Sequence, residues 1–83
     1  MADDRDWRPD LTSHVYVYLQ VAQHIANEIH AGRLPAGARL PAERDLAEQY
    51  GVAVNTIRRA IRDLRDQGLV ITVPIKGTFI HAE

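Results

Sequence analysis

Apolar side chains recur at three- and four-residue steps from Val15 onward, through Tyr18, Leu19, Ala22, Ile25, Ala26 and Ile29. That spacing collects them on one face of a helix. It predicts a helix over residues 13–31, capped by Ser13 and stopped by Gly32. Two glycines and a proline within Gly32-Arg33-Leu34-Pro35-Ala36-Gly37 forbid any continuation, and Ala38-Arg39-Leu40 suits a very short strand. A second, shorter helix is predicted over residues 42–50. Pro41 stands at its start, Glu43 and Asp45 suit its positive end, and Leu46, Ala47 and Tyr50 form its buried face. A third helix, residues 54–67, carries Ile57, Ile61 and Leu64 as a stripe with Ala60 beside them, and ends at Gly68. The period then changes. Leu69-Val70-Ile71-Thr72-Val73 reads as a strand, Pro74-Ile75-Lys76-Gly77 as a turn, and Thr78-Phe79-Ile80 as a short return strand.

Helices two and three are joined by Gly51-Val52-Ala53. Two short helices across a tight glycine turn make a helix-turn-helix, where glycine lets the chain reverse without a Cβ clash. Val52 is expected to plug the gap between the helices. In this arrangement the second helix of the pair offers its N-terminal residues to a DNA major groove, and a following hairpin forms a wing that reaches a neighbouring minor groove. The expected fold is therefore mostly α with a small β-hairpin, a three-helix winged helix-turn-helix.

Composition narrows the picture. Eighty-three residues suffice for one modest core, and 46% apolar with 25% charged residues fits a globular chain rather than a disordered one. A DNA-reading half and a sizeable ligand-binding half do not both fit, so no small-molecule effector pocket is expected. With no cysteine, disulfides and thiolate metal sites are excluded. His14, His24, His30 and His81 show no metal-ligand spacing, and Ser13, the only serine, has no nucleophile motif around it. No catalytic residue, metal or cofactor is assigned, and the chain is not expected to be an enzyme. The acidic start Met-Ala-Asp-Asp-Arg-Asp has no signal-type segment, and no apolar run approaches the roughly 20 residues of a membrane span. A soluble cytoplasmic, nucleoid-associated protein with no membrane partner is expected.

The net charge of −1 hides an uneven distribution. Residues 1–10 set Asp3, Asp4, Asp6 and Asp10 against Arg5 and Arg8, a balance of −2. Residues 54–65 set Arg58, Arg59, Arg62 and Arg65 against Asp63, a balance of +3. Local potential decides who binds where. Residues 1–12 read as an acidic N-terminal arm and 13–83 as the winged domain, with Trp7 expected to pack on the domain edge.

The run from Gly32 to Ala47 resembles the signature of GntR-type transcription regulators, in which G-x-L-x-x-G-x-x-L-P-S-E-R-x-L-A leads into the helix-turn-helix. Gly51-Val52, Thr56, Arg58, Ala60, Leu64, Gly68-Leu69-Val70 and Lys76-Gly77-Thr78-Phe79-Ile80 extend the match, which covers roughly residues 15–80. The resemblance implies that Arg44 contacts DNA from the start of helix two. It implies that Thr56 and Arg58 read DNA from helix three, and that Lys76 and Gly77 approach the minor groove. Arginine offers a planar fork to guanine or phosphate, and threonine a hydroxyl. Asn55, which can bond adenine or substitute as a cap, and Arg59 join these candidates. The plainer role for Arg44 is an ion pair with Glu48 at i+4, and both roles can hold. Arg62, with Asp66 at i+4, and Arg65 read as helix-surface charges.

The chain departs from the pattern at four places. Ala53-Val54 stands where Ser-Arg is usual, Val54 keeping only a methyl contact for thymine. Ala42 replaces a serine cap, and Ile75-Lys76-Gly77 replaces a Gly-x-Gly wing tip, losing one flexible position. The implied function is a sequence-specific regulator of transcription that binds double-stranded DNA, a repressor, acting as a possible homodimer on a two-fold operator. Members usually carry a further ligand-sensing and dimerising half. This chain stops at Glu83, either as a cut-down piece or as a naturally short regulator; if it stands alone, dimerisation falls to the domain surface. The other reading is a winged-helix protein-interaction module with weak or no DNA binding. The lost Ser-Arg pair, the net charge and an acidic arm able to mask the basic face support it.

Overall fold

Helix α1 spans Val17–His30, beginning at Val17 rather than at Ser13. The computed structural model describes residues 7–81. The acidic residues Asp3, Asp4 and Asp6, on which the masking idea depends, lie outside the described residues.

The late start of α1 has a local cause. The Asp10 carboxylate accepts from Thr12 N (2.9 Å) and from the Thr12 hydroxyl (2.7 Å). These bonds hold the Asp10 carboxyl below its ordinary value. Ser13 Oγ accepts from Val15 N at 3.0 Å, a turn bond rather than a helix cap. Gln20 Nε2 then donates to the Asp10 and Val15 carbonyls, both at 2.9 Å. Side chains thus offer this backbone an alternative to helix, and Val15, Tyr16 and Val17 are weak helix formers. Val15 consequently sits outside the helix and is exposed, against expectation. The buried face of α1 is Val21, Ala22, Ile25 and Ala26, flanked by half-buried Tyr18 and Ile29.

Helix α2 spans Glu43–Tyr50 and α3 spans Val54–Asp66. Their buried faces are the expected ones: Leu46, Ala47 and Tyr50, then Ile57, Ala60, Ile61 and Leu64. Gly51 ends α2 at φ 68, a left-handed turn that only glycine enters freely. Val52 follows and packs half-buried against the core, as expected. Strands β1 (Val70–Val73) and β2 (Gly77–Ile80) pair antiparallel, Val70 opposite Ile80 and Thr72 opposite Thr78. The expected third strand shrinks to one bridge, Arg39 to Phe79, supported by Leu40 N to Thr78 O and Ile80 N to Ala38 O, both 2.8 Å. Leu40, Val70 and Ile80 close the core beneath the helices. The architecture of the described residues is three helices and an antiparallel hairpin, the winged helix-turn-helix predicted.

Trp7 packs as expected, its ring stacked on His24 (centroids 4.4 Å, 8°) and edge-on to Tyr50 (5.7 Å, 79°). His24 Nδ1 lies 3.0 Å from the Tyr50 hydroxyl and His24 Nε2 lies 3.6 Å from Glu28 Oε1. Arg33 engages the other Glu28 oxygen. Burial, and after it the Glu28 carboxylate, pushes the Tyr50 phenol up to about 12. The phenol therefore stays protonated at neutral pH and ties α2 to α1.

None of the three helices has a side-chain cap bond; the capping positions are Tyr16, Ala42 and Ala53. Asn55 does not substitute as the cap of α3. Ala53 has an extended backbone (φ −68, ψ 150), the conformation a capping serine adopts. Ala53→Ser is therefore expected to stabilise the domain by about 1 kcal/mol. In a domain of this size that raises Tm by roughly 4–8 °C in thermal unfolding.

Candidate nucleic-acid interface

Helix α3 is fixed on its inner side and open on its outer side. Each residue turns the helix by about 100°. Asn55, Arg58, Arg62 and Arg65, at steps of three and four, therefore run along the side away from Ile57, Ala60 and Leu64. All four are exposed. Arg59, on the next flank, turns toward α1, where its guanidinium carbon lies 4.2 Å from the Tyr18 ring centroid. Thr56, three residues before Arg59, is half-buried on that flank. Val54 is half-buried against the core, so its methyls are partly committed to packing.

Arg58 Nε donates to Glu43 Oε1 at 3.1 Å, joining α3 to the first turn of α2. Arg44 is exposed and makes no ion pair with Glu48. Arg58 and Glu43 are both well exposed, 59% and 42% by side chain. Such a pair is worth at most about 1 kcal/mol and yields readily to a competing phosphate. It holds the Arg58 fork in place without committing it.

The wing is tied to α3 by a short polar chain. Arg65 Nη1 donates to Thr72 Oγ1 at 2.9 Å, and Thr72 Oγ1 lies 3.1 Å from Thr78 Oγ1 on the opposite strand. Arg65 is therefore a wing-positioning residue as well as a surface charge. At the tip, Lys76 N donates to the Val73 carbonyl at 3.1 Å, closing a turn through Pro74 and Ile75. Lys76 is exposed. Gly77 has φ 121, and a Cβ there would lie 2.7 Å from Arg39 Nε. The exposed Arg39 side chain thus lies along the wing, close against Gly77. A cleft of about 330 Å3, lined by Arg39, Glu43, Thr72 and Ile75 among others, separates the wing from α2.

The structure brings Asn55 and Arg58 onto one outward stripe and sets Lys76 and Gly77 at the wing beside it. Arg44 is exposed near the start of α2, and Thr56 and Arg59 lie on the α1 flank. Two cations absent from the sequence-based set belong with the stripe and the wing, Arg62 and Arg39. The spacing 55, 58, 62 was available in the sequence. Arg39 was not, because its approach to Gly77 depends on a bridge between distant segments.

A family profile described as "Bacterial regulatory proteins, gntR family" matches residues 17–80. The HTH-type transcriptional regulator Rv1152 of Mycobacterium tuberculosis is 44% identical over 77 residues, 92% of this chain and 64% of that protein. A probable fructoselysine utilization operon transcriptional repressor of Escherichia coli K12 is 39% identical over 89% of this chain and 30% of its own length. The chain thus spans under two thirds of either relative. The crystal structure of AraR(DBD) in complex with operator ORX1 superposes with a TM-score of 0.79 at 37% identity, covering 86% of this chain and 88% of that one. With the profile spanning most of the described residues and the winged topology in agreement, this chain belongs to the GntR family of bacterial regulatory proteins.

Proposed function

We propose that this chain is the sequence-specific DNA-reading domain of a transcription repressor. The observation that carries it is the outward stripe Asn55, Arg58 and Arg62 on a helix braced from behind by α1 and α2. A cationic, exposed helix of that kind fits the major groove. Within the groove, Arg58 releases Glu43 and presents its fork to guanine O6 and N7 or to a phosphate, and Asn55 bonds adenine. Thr56, Arg59 and Arg44 take backbone phosphates on the flanks, which set register without reading sequence. The wing, with Lys76 and the close-approach Gly77, follows the adjacent minor groove. The operator complex of the similar AraR(DBD) and the repressor name of the Escherichia coli relative support this reading. Repression then needs only occupancy: two copies on a two-fold operator, half-sites about one DNA turn (~34 Å) apart, exclude polymerase from the promoter. Such a protein works at the nucleoid.

Selection from a random duplex pool tests this. Enrichment of one motif, with a palindromic arrangement where two copies bind together, is the expected result. A pool that stays unenriched contradicts it.

A further inference from the structure

Ile75 is the one non-glycine residue with positive φ among the described residues (φ 72). A β-branched side chain is poorly suited to this left-handed region, where Cβ crowds the following carbonyl. The turn imposes the conformation. Pro74 fixes the second position, the Lys76-to-Val73 bond closes the turn, and a positive φ at the third position is the type II arrangement that glycine or asparagine normally fills. The Ile75 side chain is also fully exposed, at 106% of its reference area. No packing inside the domain offsets the strain. Isolated apolar residues on a surface are ordinary; a strained one at the apex of a turn is not, and residues held so tend to serve a function.

The neighbours indicate the partner. Lys76 follows in sequence and Arg39 lies against Gly77, so the apolar tip is flanked by two cations. A tip serving only as a phosphate anchor gains nothing from a branched hydrocarbon. A cationic frame around an apolar point suits a minor groove. There the cations take the phosphate walls and the hydrocarbon meets deoxyribose and the edges of base steps that unstack easily.

Resting on the DNA reading above, we propose that Ile75 is an apolar minor-groove wedge that makes the wing a reader of deformable base steps flanking the half-site. The helix-borne stripe then supplies one part of the specificity and the wing tip a second, independent part.

The test uses the full chain and the selected duplex with its wing-facing step varied between TA and GG. For Ile75→Gly, Tm is expected to rise, because the strain is relieved. Affinity for the TA duplex falls about three- to tenfold and the TA-over-GG preference is lost. Ile75→Asn, which tolerates the turn but is polar, behaves like the glycine variant. Ile75→Met keeps affinity and preference. Opposite signs in stability and affinity are what a merely structural residue would not give. Unchanged affinity and flank preference in Ile75→Gly overturns the wedge alone, while the helix-borne specificity stands. Failure of the unaltered chain to enrich any duplex overturns the DNA reading, and the wedge falls with it.

Discussion

Ile57→Ala is expected to destabilise the domain by about 2–5 kcal/mol. Ile57 is wholly buried, on the helix that packs against α1, α2 and β1. Removing three carbons there loses their transfer energy and leaves a cavity that helices held on three sides cannot readily close. A chain of this length has a total stability of only about 4–12 kcal/mol. The variant should therefore melt far below the unaltered protein, or be partly unfolded at room temperature, by circular dichroism. Ile71→Ala is the control. Ile71 is 46% exposed on the outer face of β1, and its loss should cost well under 2 kcal/mol. Equal effects for the two would mean that the core is not where it is described.

Arg58→Ala should lower affinity for a selected duplex by about 1–3 kcal/mol, roughly 5- to 150-fold, while moving stability by less than about 1 kcal/mol. The asymmetry follows from the Glu43 pair. It is exposed in the free protein and contributes little, whereas the same guanidinium against guanine or phosphate forms two parallel bonds in a site that excludes water. Arg58→Lys separates charge from geometry. It retains the charge and loses the fork, so it should recover non-specific binding and not sequence preference. Titration of matched and scrambled duplexes measures both. A variant that loses stability but keeps its affinity would place Arg58 in the scaffold and outside the interface.

Much of this was legible in the sequence, for particular reasons. Helices α2 and α3 are regular from end to end, so their apolar spacing gave their buried faces directly. In α1 the spacing ran past the true start, because bonding by Asp10, Ser13 and Gln20 determines where the helix can begin and periodicity does not register it. Counting from Val15 also passed over Val21, which is fully buried. Ion pairing was the least legible. An i+4 rule offered Arg44 the partner Glu48, which it does not take, and the Arg58–Glu43 pair rests on a tertiary contact that spacing does not register. At the wing, the lost flexible position at Ile75 was visible in the sequence. That the turn keeps its left-handed geometry there, with a strained isoleucine in it, depends on the closing bond to Val73.

The most direct test of the central claim, that the arginine-bearing face of α3 and the wing engage a duplex, is the salt dependence of duplex binding. With Arg39, Arg44, Arg58, Arg59, Arg62 and Lys76 available, and about 0.9 per neutralised phosphate, the plot of log K against log salt should fall with a slope of roughly −3 to −5.4 per domain. Binding that is absent even at low salt, or that barely changes across the titration, would contradict the account.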